Sequence, residues 1–170
     1  MKDVFLLYDT CCMYEIVILN YFMSVTGCNV TFCSLDGKPV KAAEGYQINV
    51  EVSLKEIDEE QIRSFILPGG DISLIDQEET RSCLRELKSR GVLVGGICAG
   101  VDMLERAGVL KGIKTIYSED SEVANDHGVI TARANGYVDF AIEAARELGL
   151  FTDEADLQET IDFWREHKRV

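Results

Sequence analysis

The sequence predicts an α/β fold: an open, mostly parallel β-sheet with helices packed on both faces. Three observations carry this. Strand-like and helix-like segments alternate along the chain, the order that builds β-α crossover units. Several strand-like segments are continuous apolar runs, as strands buried on both faces require. The length of 170 residues and the 46% hydrophobic content suit one buried core, so a single domain over residues 1–170 is expected.

The elements follow in order. "DVFLLY" (3–8) is a continuous apolar run and reads as the first buried strand. "EIVILNYFMSVTG" (15–27) has helical spacing and ends at Gly27, a natural helix stop. "NVTFCSL" (29–35) is β-branched and aromatic, a second strand. "DGKPV" (36–40) is a turn, and "GYQINVEVS" (45–53) alternates like a half-exposed strand. "SFILPGG" (64–70) is a buried strand entering a Pro-Gly-Gly turn. "DQEETRSCLRELKSRG" (76–91) is an amphipathic helix closed by Gly91. "VLVGGI" (92–97) is a buried strand, and "CAGVDMLERAGVL" (98–110) a helix. "SEVANDHGVITAR" (121–133) reads as a β-hairpin. Helices over 136–149 and 153–169 finish the chain.

Composition narrows the function classes. A formal net charge of −13 repels phosphate backbones, so nucleic acid is not expected as a partner. A small molecule or another protein is. No apolar run reaches the roughly 18 residues of a membrane span, so no membrane partner is expected. The start, "MKDVFLLYDTCC", is broken by Asp9 and reads as a strand rather than a signal peptide, which suggests a cytoplasmic protein. The six cysteines form no C-x-x-C pair, and there are only two histidines. Neither a metal site nor a disulfide framework is expected, and no cofactor. Cys28, Cys33 and Cys83 read as core fillers.

Cys98 reads differently. It falls where a buried strand meets a helix, inside Gly96-Ile97-Cys98-Ala99-Gly100. This is the G-x-nucleophile-x-G frame of a nucleophile elbow, a strand-to-helix turn so sharp that its neighbours must be small. The turn projects the side chain above the sheet edge, where open α/β sheets bind ligands. The following helix aims its N-terminus at the sulfur, which favours thiolate over thiol. "LPGGD" (67–71) ends another buried strand at the same edge. Gly69 or Gly70, with Ala99, could supply backbone N–H donors to an oxyanion above Cys98.

"ILPGG", then "GGICAG", "LERAGVLKG" and "VITARANGYVDFAIEAARELG" together resemble the ThiJ/PfpI family of the class I glutamine amidotransferase-like superfamily. The resemblance covers residues 1 to about 150. It implies a flavodoxin-like three-layer sandwich, a reactive elbow cysteine and a homodimer. It also implies a glutamate on the first helix that hydrogen-bonds this cysteine. The matching residue is Glu15, in "MYEIV". Against a sulfur anion in a poorly solvated pocket, its carboxyl should titrate high and could donate a proton.

The pattern then breaks. Hydrolytic relatives carry a histidine directly after the cysteine or about twenty residues on. Here those places hold Ala99 and the Tyr117-Ser118 stretch of "KTIYSED". His127, in "NDHGV", reads as a hairpin tip, and His167, in "WREHKR", as a helix-end cation. Peptidase and glutaminase chemistry both need a group to protonate a departing amine, so both are doubtful. Chemistry that needs a thiol and one acid remains: glyoxalase- or deglycase-like, amidase-like or isocyanide-hydratase-like reaction with a small electrophile. The competing reading is a thiol sensor of oxidants. Cys11 and Cys12 would border the same pocket, and one of them could resolve an oxidised Cys98.

Overall fold

The computed structural model describes residues 1–118 and 120–169. In chain order it builds β1 (Lys2–Leu6), α1 (Val17–Val25), β2 (Val30–Ser34), β3 (Val40–Lys41), β4 (Gln47–Ile48), β5 (Val52–Ser53) and β6 (Ile62–Leu67). There follow α2 (Glu78–Ser89), β7 (Leu93–Ile97), α3 (Ala99–Arg106), β8 (Val123–Asp126), β9 (Val129–Ala132), α4 (Tyr137–Glu147) and α5 (Glu154–Trp164).

Seven strands form one sheet in the order β5-β2-β1-β6-β7-β9-β8. Every pairing is parallel except the β8–β9 hairpin. Its middle, β2-β1-β6-β7-β9, is the flavodoxin-like doubly wound order. Helices α2 and α3 pack together on one face; α1, α4 and α5 pack in succession on the other. The continuous apolar runs are the reason for this layering. Val4 to Leu7 in and after β1 are wholly buried, as are Ile66 and Leu67 in β6 and Val94 and Ile97 in β7. Each such side chain contributes about 1.5–3 kcal/mol against exposure. Among the described residues no helix is long and apolar enough to cross a membrane.

Four local features depart from the sequence reading. The stretch 45–53 is two short strands: β4 pairs antiparallel with β3, and β5 joins the sheet edge beside β2. Glu51 makes the switch, donating its N–H to Phe32 O at 2.9 Å while its carboxylate accepts from Phe32 N at 2.7 Å. Ahead of α1 a separate 3-10 turn, Met13–Glu15, carries Glu15. The last helix ends at Trp164, so His167 lies beyond it, at φ 55°. Cys33 and Cys83 are buried as expected, whereas Cys28 is half-buried. Its sulfur lies 3.0 Å from Arg63 Nη2. Arg63 also neutralises the wholly buried Asp3, with Nε at 3.0 Å, and Ser64 Oγ donates to that carboxylate at 2.7 Å.

Candidate active site

Cys98 sits between β7 and α3 at φ 55° and ψ −128°. That backbone geometry is sparsely populated for a residue with a Cβ and costs on the order of 1–3 kcal/mol. The surroundings hold it there. Cys98 N–H donates to Ala132 O at 2.9 Å, and Cys98 O accepts from Val101 N at 3.0 Å. The flanking glycines are small because the turn leaves no room. A Cβ on Gly96 would stand 2.8 Å from Leu104 Cδ1, and one on Gly100 would stand 2.3 Å from Leu67 O. The start of α3 is thereby pressed against β6 and β7, and the thiol emerges half-buried above the sheet.

Glu15 reaches the same place from the loop after β1. Its side chain is almost fully buried, at 1% exposure. Oε2 accepts from Gly69 N–H at 2.6 Å, and Oε1 from the Tyr14 hydroxyl at 3.3 Å. The Cys98 thiol is its third partner. A Cβ built on Gly69 would lie 2.9 Å from Glu15 Oε2 and 3.0 Å from Cys98 Sγ. Carboxyl and sulfur therefore flank one small space, and only a glycine at 69 leaves it open. The 3-10 turn is anchored on either side of Met13: Cys12 N–H donates to Gly69 O at 2.9 Å, and Tyr14 N–H to Glu44 Oε1 at 2.8 Å. Gly70, at φ +140°, passes so close to Thr10 that a Cβ would meet its carbonyl oxygen at 2.6 Å.

Both groups of the pair are shifted toward their protonated forms. Burial pushes the Glu15 carboxyl up, against the pull of the Gly69, Cys98 and Tyr14 hydrogen bonds. Burial, followed by the Glu15 charge, pushes the Cys98 thiol up, while the Ala99 N–H pulls it down. The expected thiolate-favouring effect of the helix N-terminus is present but outweighed. Three other thiols are held firmly protonated: burial raises Cys12 to about 11 and Cys83 to about 12, and drives Cys33 higher still.

Several candidates sort out on this geometry. The Gly69 amide donates to Glu15, so it is not aimed at an oxyanion as the sequence suggested. The Ala99 amide does face the Cys98 sulfur. Cys11 is wholly buried, while Cys12 is half-buried within the electrostatic reach of both Glu15 and Cys98. Tyr117 donates its hydroxyl to Asp102, in the first turn of α3, and lies within the field of Cys98. Ser118 instead closes a turn with Thr115, accepting from its N–H at 2.7 Å. His127 occupies the β8–β9 tip at φ 50°, its side chain 77% exposed. The sequence reading passed over Tyr14 and Glu44. Tyr14 adjoins Glu15 in "MYEIV", but nothing in the spacing shows that the β3–β4 hairpin folds Glu44 back onto it.

Known proteins share this arrangement of elements. A DJ-1 superfamily protein of Agrobacterium tumefaciens superposes with a TM-score of 0.83 at 26% identity, covering 99% of this chain and all of that one. A glutathione-independent glyoxalase of Caenorhabditis elegans is 26% identical over 151 residues, 79% of this chain and 81% of its own length. A deglycase of Thermococcus kodakarensis is 28% identical over 102 residues, 59% of this chain and 61% of that relative's length. The sequence profile of the DJ-1/PfpI family matches residues 1–147. That match takes in every strand of the main sheet, the Glu15 turn and the Cys98 elbow, and the chain belongs to the DJ-1/PfpI family.

Proposed function

We propose that this protein uses Cys98 as a nucleophile on a small aldehyde or related electrophile, in chemistry of the glyoxalase or deglycase type. The observation that carries this reading is the strained Cys98 backbone with the Glu15 carboxyl across the Gly69 gap. Such strain persists only where the surroundings impose it, and it clusters at reactive centres. The relatives named as glyoxalase and deglycase supply the reaction class.

The residues divide the work as follows. The Cys98 sulfur adds to the carbonyl carbon; a C–S bond forms, and the carbonyl π-electrons move to oxygen. Glu15 takes the thiol proton and returns it to that oxygen, giving a hemithioacetal. With a 1,2-dicarbonyl, the carbon-bound proton moves to the neighbouring carbonyl carbon and the hemithioacetal hydroxyl proton to that carbonyl's oxygen, an isomerisation that yields a thioester. Water cleaves it to a 2-hydroxy acid and restores the thiol, so no oxidant is consumed. Tyr117, nineteen residues after Cys98 and held by Asp102, is proposed as the second proton donor. The protein acts as a homodimer in the cytoplasm.

Methylglyoxal consumption by freshly reduced protein tests this. Turnover abolished by Cys98→Ser supports it. Full turnover in that variant, or stoichiometric oxidation by peroxide with no aldehyde turnover, overturns it; the second outcome would favour an oxidant sensor.

A further inference from the structure

The groups around the Cys98 sulfur are of one sign. Asp102 and Glu105 follow Cys98 by four and seven residues, spacings that return to the same face of a helix. Asp102 is half-buried and Glu105 exposed. Glu44 enters from the β3–β4 hairpin, its Oε1 2.8 Å from Tyr14 N and hence beside Glu15. Glu15 itself is a fourth carboxyl at the sulfur. Two cations on the neighbouring elements are engaged by carboxylates. Arg106 on α3 lies 2.7 Å from Asp76, and Arg133, just past β9, lies 3.2 Å from Asp120. Lys41 on the hairpin is exposed, with the Asp9 carboxylate 2.8 Å from its backbone N.

We infer that this acidic collar selects the electrophile by charge: Cys98 accepts neutral and cationic carbonyl compounds and excludes those bearing a carboxylate or phosphate. The inference rests on Cys98 being the nucleophile proposed above. Its physical basis is the local field. A cleft lined by one sign of charge changes encounter rates with charged partners by about 10–10³-fold. The effect reaches about one Debye length, roughly 10 Å at 0.1 M salt. Glu44, one side chain from Glu15, and Asp102, one turn from Cys98, fall inside that range; Glu105, two turns on, lies at its edge, about 10 Å along the helix.

Methanethiosulfonate reagents test the collar without requiring turnover. The thiol attacks the reagent's sulfenyl sulfur; a disulfide forms and methanesulfinate leaves. Reduced protein is treated with the trimethylammonioethyl (cationic), sulfonatoethyl (anionic) and methyl (neutral) reagents, and the Cys98 peptide is followed by mass spectrometry. The cationic-to-anionic rate ratio at Cys98 should exceed that of free 2-mercaptoethanol by about tenfold or more at low salt. It should shrink at about 0.5 M salt. Glu105→Gln and Glu44→Gln should each lower the ratio; the amide introduced by Glu44→Gln keeps an acceptor for Tyr14 N–H. Glu105→Gln should leave the neutral reagent's rate in place. With aldehydes, glyoxal should be consumed faster than glyoxylate. A ratio equal to that of the free thiol, or one favouring the anion, overturns the collar and leaves Cys98 as nucleophile. Cys98 that resists even the neutral reagent overturns the nucleophile itself.

Discussion

The backbone amide of Gly69 grips Glu15 Oε2 at 2.6 Å, and the missing side chain of Gly69 is the space in which Glu15 meets Cys98. One residue thus positions the carboxyl and clears the gap. Gly69→Ala would place a methyl 2.8 Å from Cys98 Cβ. Overpacking of that kind typically costs about 1–3 kcal/mol. The variant should still fold, judged by circular dichroism. Its aldehyde turnover should fall at least tenfold, since the pair must move apart (about 1.4 kcal/mol per factor of ten). Unchanged turnover in a folded variant would show that the Glu15–Cys98 contact is not needed.

Glu15→Gln separates the two consequences of the carboxyl. Its charge pushes the Cys98 thiol up, so removing the charge should move the midpoint of the alkylation-rate profile to lower pH. The same substitution removes the proton carrier, and aldehyde turnover should drop by about 10²–10⁴. A midpoint that moves to higher pH would mean that Glu15 is protonated in the resting protein and stabilises a thiolate by donating to it.

The same carboxyl sets a stability trend with pH. Burial raises Glu15 in the folded state above its ordinary value. The folded state then holds a proton that the unfolded chain releases, so its contribution is full below the unfolded value, near pH 4.5. That contribution is lost as pH rises through the raised one. A glutamine side chain has no such proton to lose. The melting temperature of Glu15→Gln relative to the parent should therefore climb between pH 4 and pH 7. Thermal melts across that range check it; a flat difference would show that Glu15 titrates as it does in the unfolded chain.

How far this was legible in the sequence depended on the range of the interaction. Continuous apolar runs announce strands buried on both faces, so the layering around β1, β6 and β7 could be read directly. The elbow was legible because part of its constraint is local: a Cβ on Gly96 would meet the backbone of Gly100 at 3.0 Å, within the same five residues. Glu15 came only through family resemblance, because its meeting with Cys98 spans 83 positions and leaves no periodic trace. Gly69 was singled out for its amide, but the direction of that amide depends on Glu15. Cys28 looked like filler because its partner, Arg63, belongs to a strand two elements of the main sheet away in sequence. The interrupted strand over 45–53 was missed because one side chain, Glu51, replaces ladder hydrogen bonds at the sheet edge.

Tyr117→Phe tests the second proton donor. The phenol is held by Asp102 and kept protonated, burial first and the Asp102 hydrogen bond second both raising its pKa. Removing the hydroxyl leaves Cys98 and Glu15 in place. Alkylation by iodoacetamide should therefore be unchanged, while aldehyde turnover falls about 10²-fold or more. Equal turnover in the phenylalanine variant would assign Tyr117 a structural part only.

The last prediction is negative: the protein should be a very poor peptidase and a very poor glutaminase. Both reactions expel a nitrogen that must gain a proton as the tetrahedral intermediate collapses, and lacking a general acid costs about 10²–10⁴ in rate. Ala99 follows Cys98 directly and Tyr117 stands nineteen residues on, so neither spacing at which the family resemblance implies a histidine holds one. His127 is too far away to reach there within one subunit. Cys98 N–H bonds the carbonyl of Ala132, at the far end of β9 from the His127 tip. About five residues of strand separate them, roughly 16 Å at about 3.3 Å per residue. His167 lies past the end of α5, on the chain's last exposed turn. A dimer leaves one route, since a second copy could present its own His127 or His167 to the elbow. Glutamine and casein hydrolysis by freshly reduced protein, beside His127→Ala and His167→Ala, decides between these. Background rates in all three uphold a centre without histidine. Robust hydrolysis lost in either variant would show a complete cysteine–histidine pair assembled between subunits, and Tyr117 would then lose its place as the second proton donor.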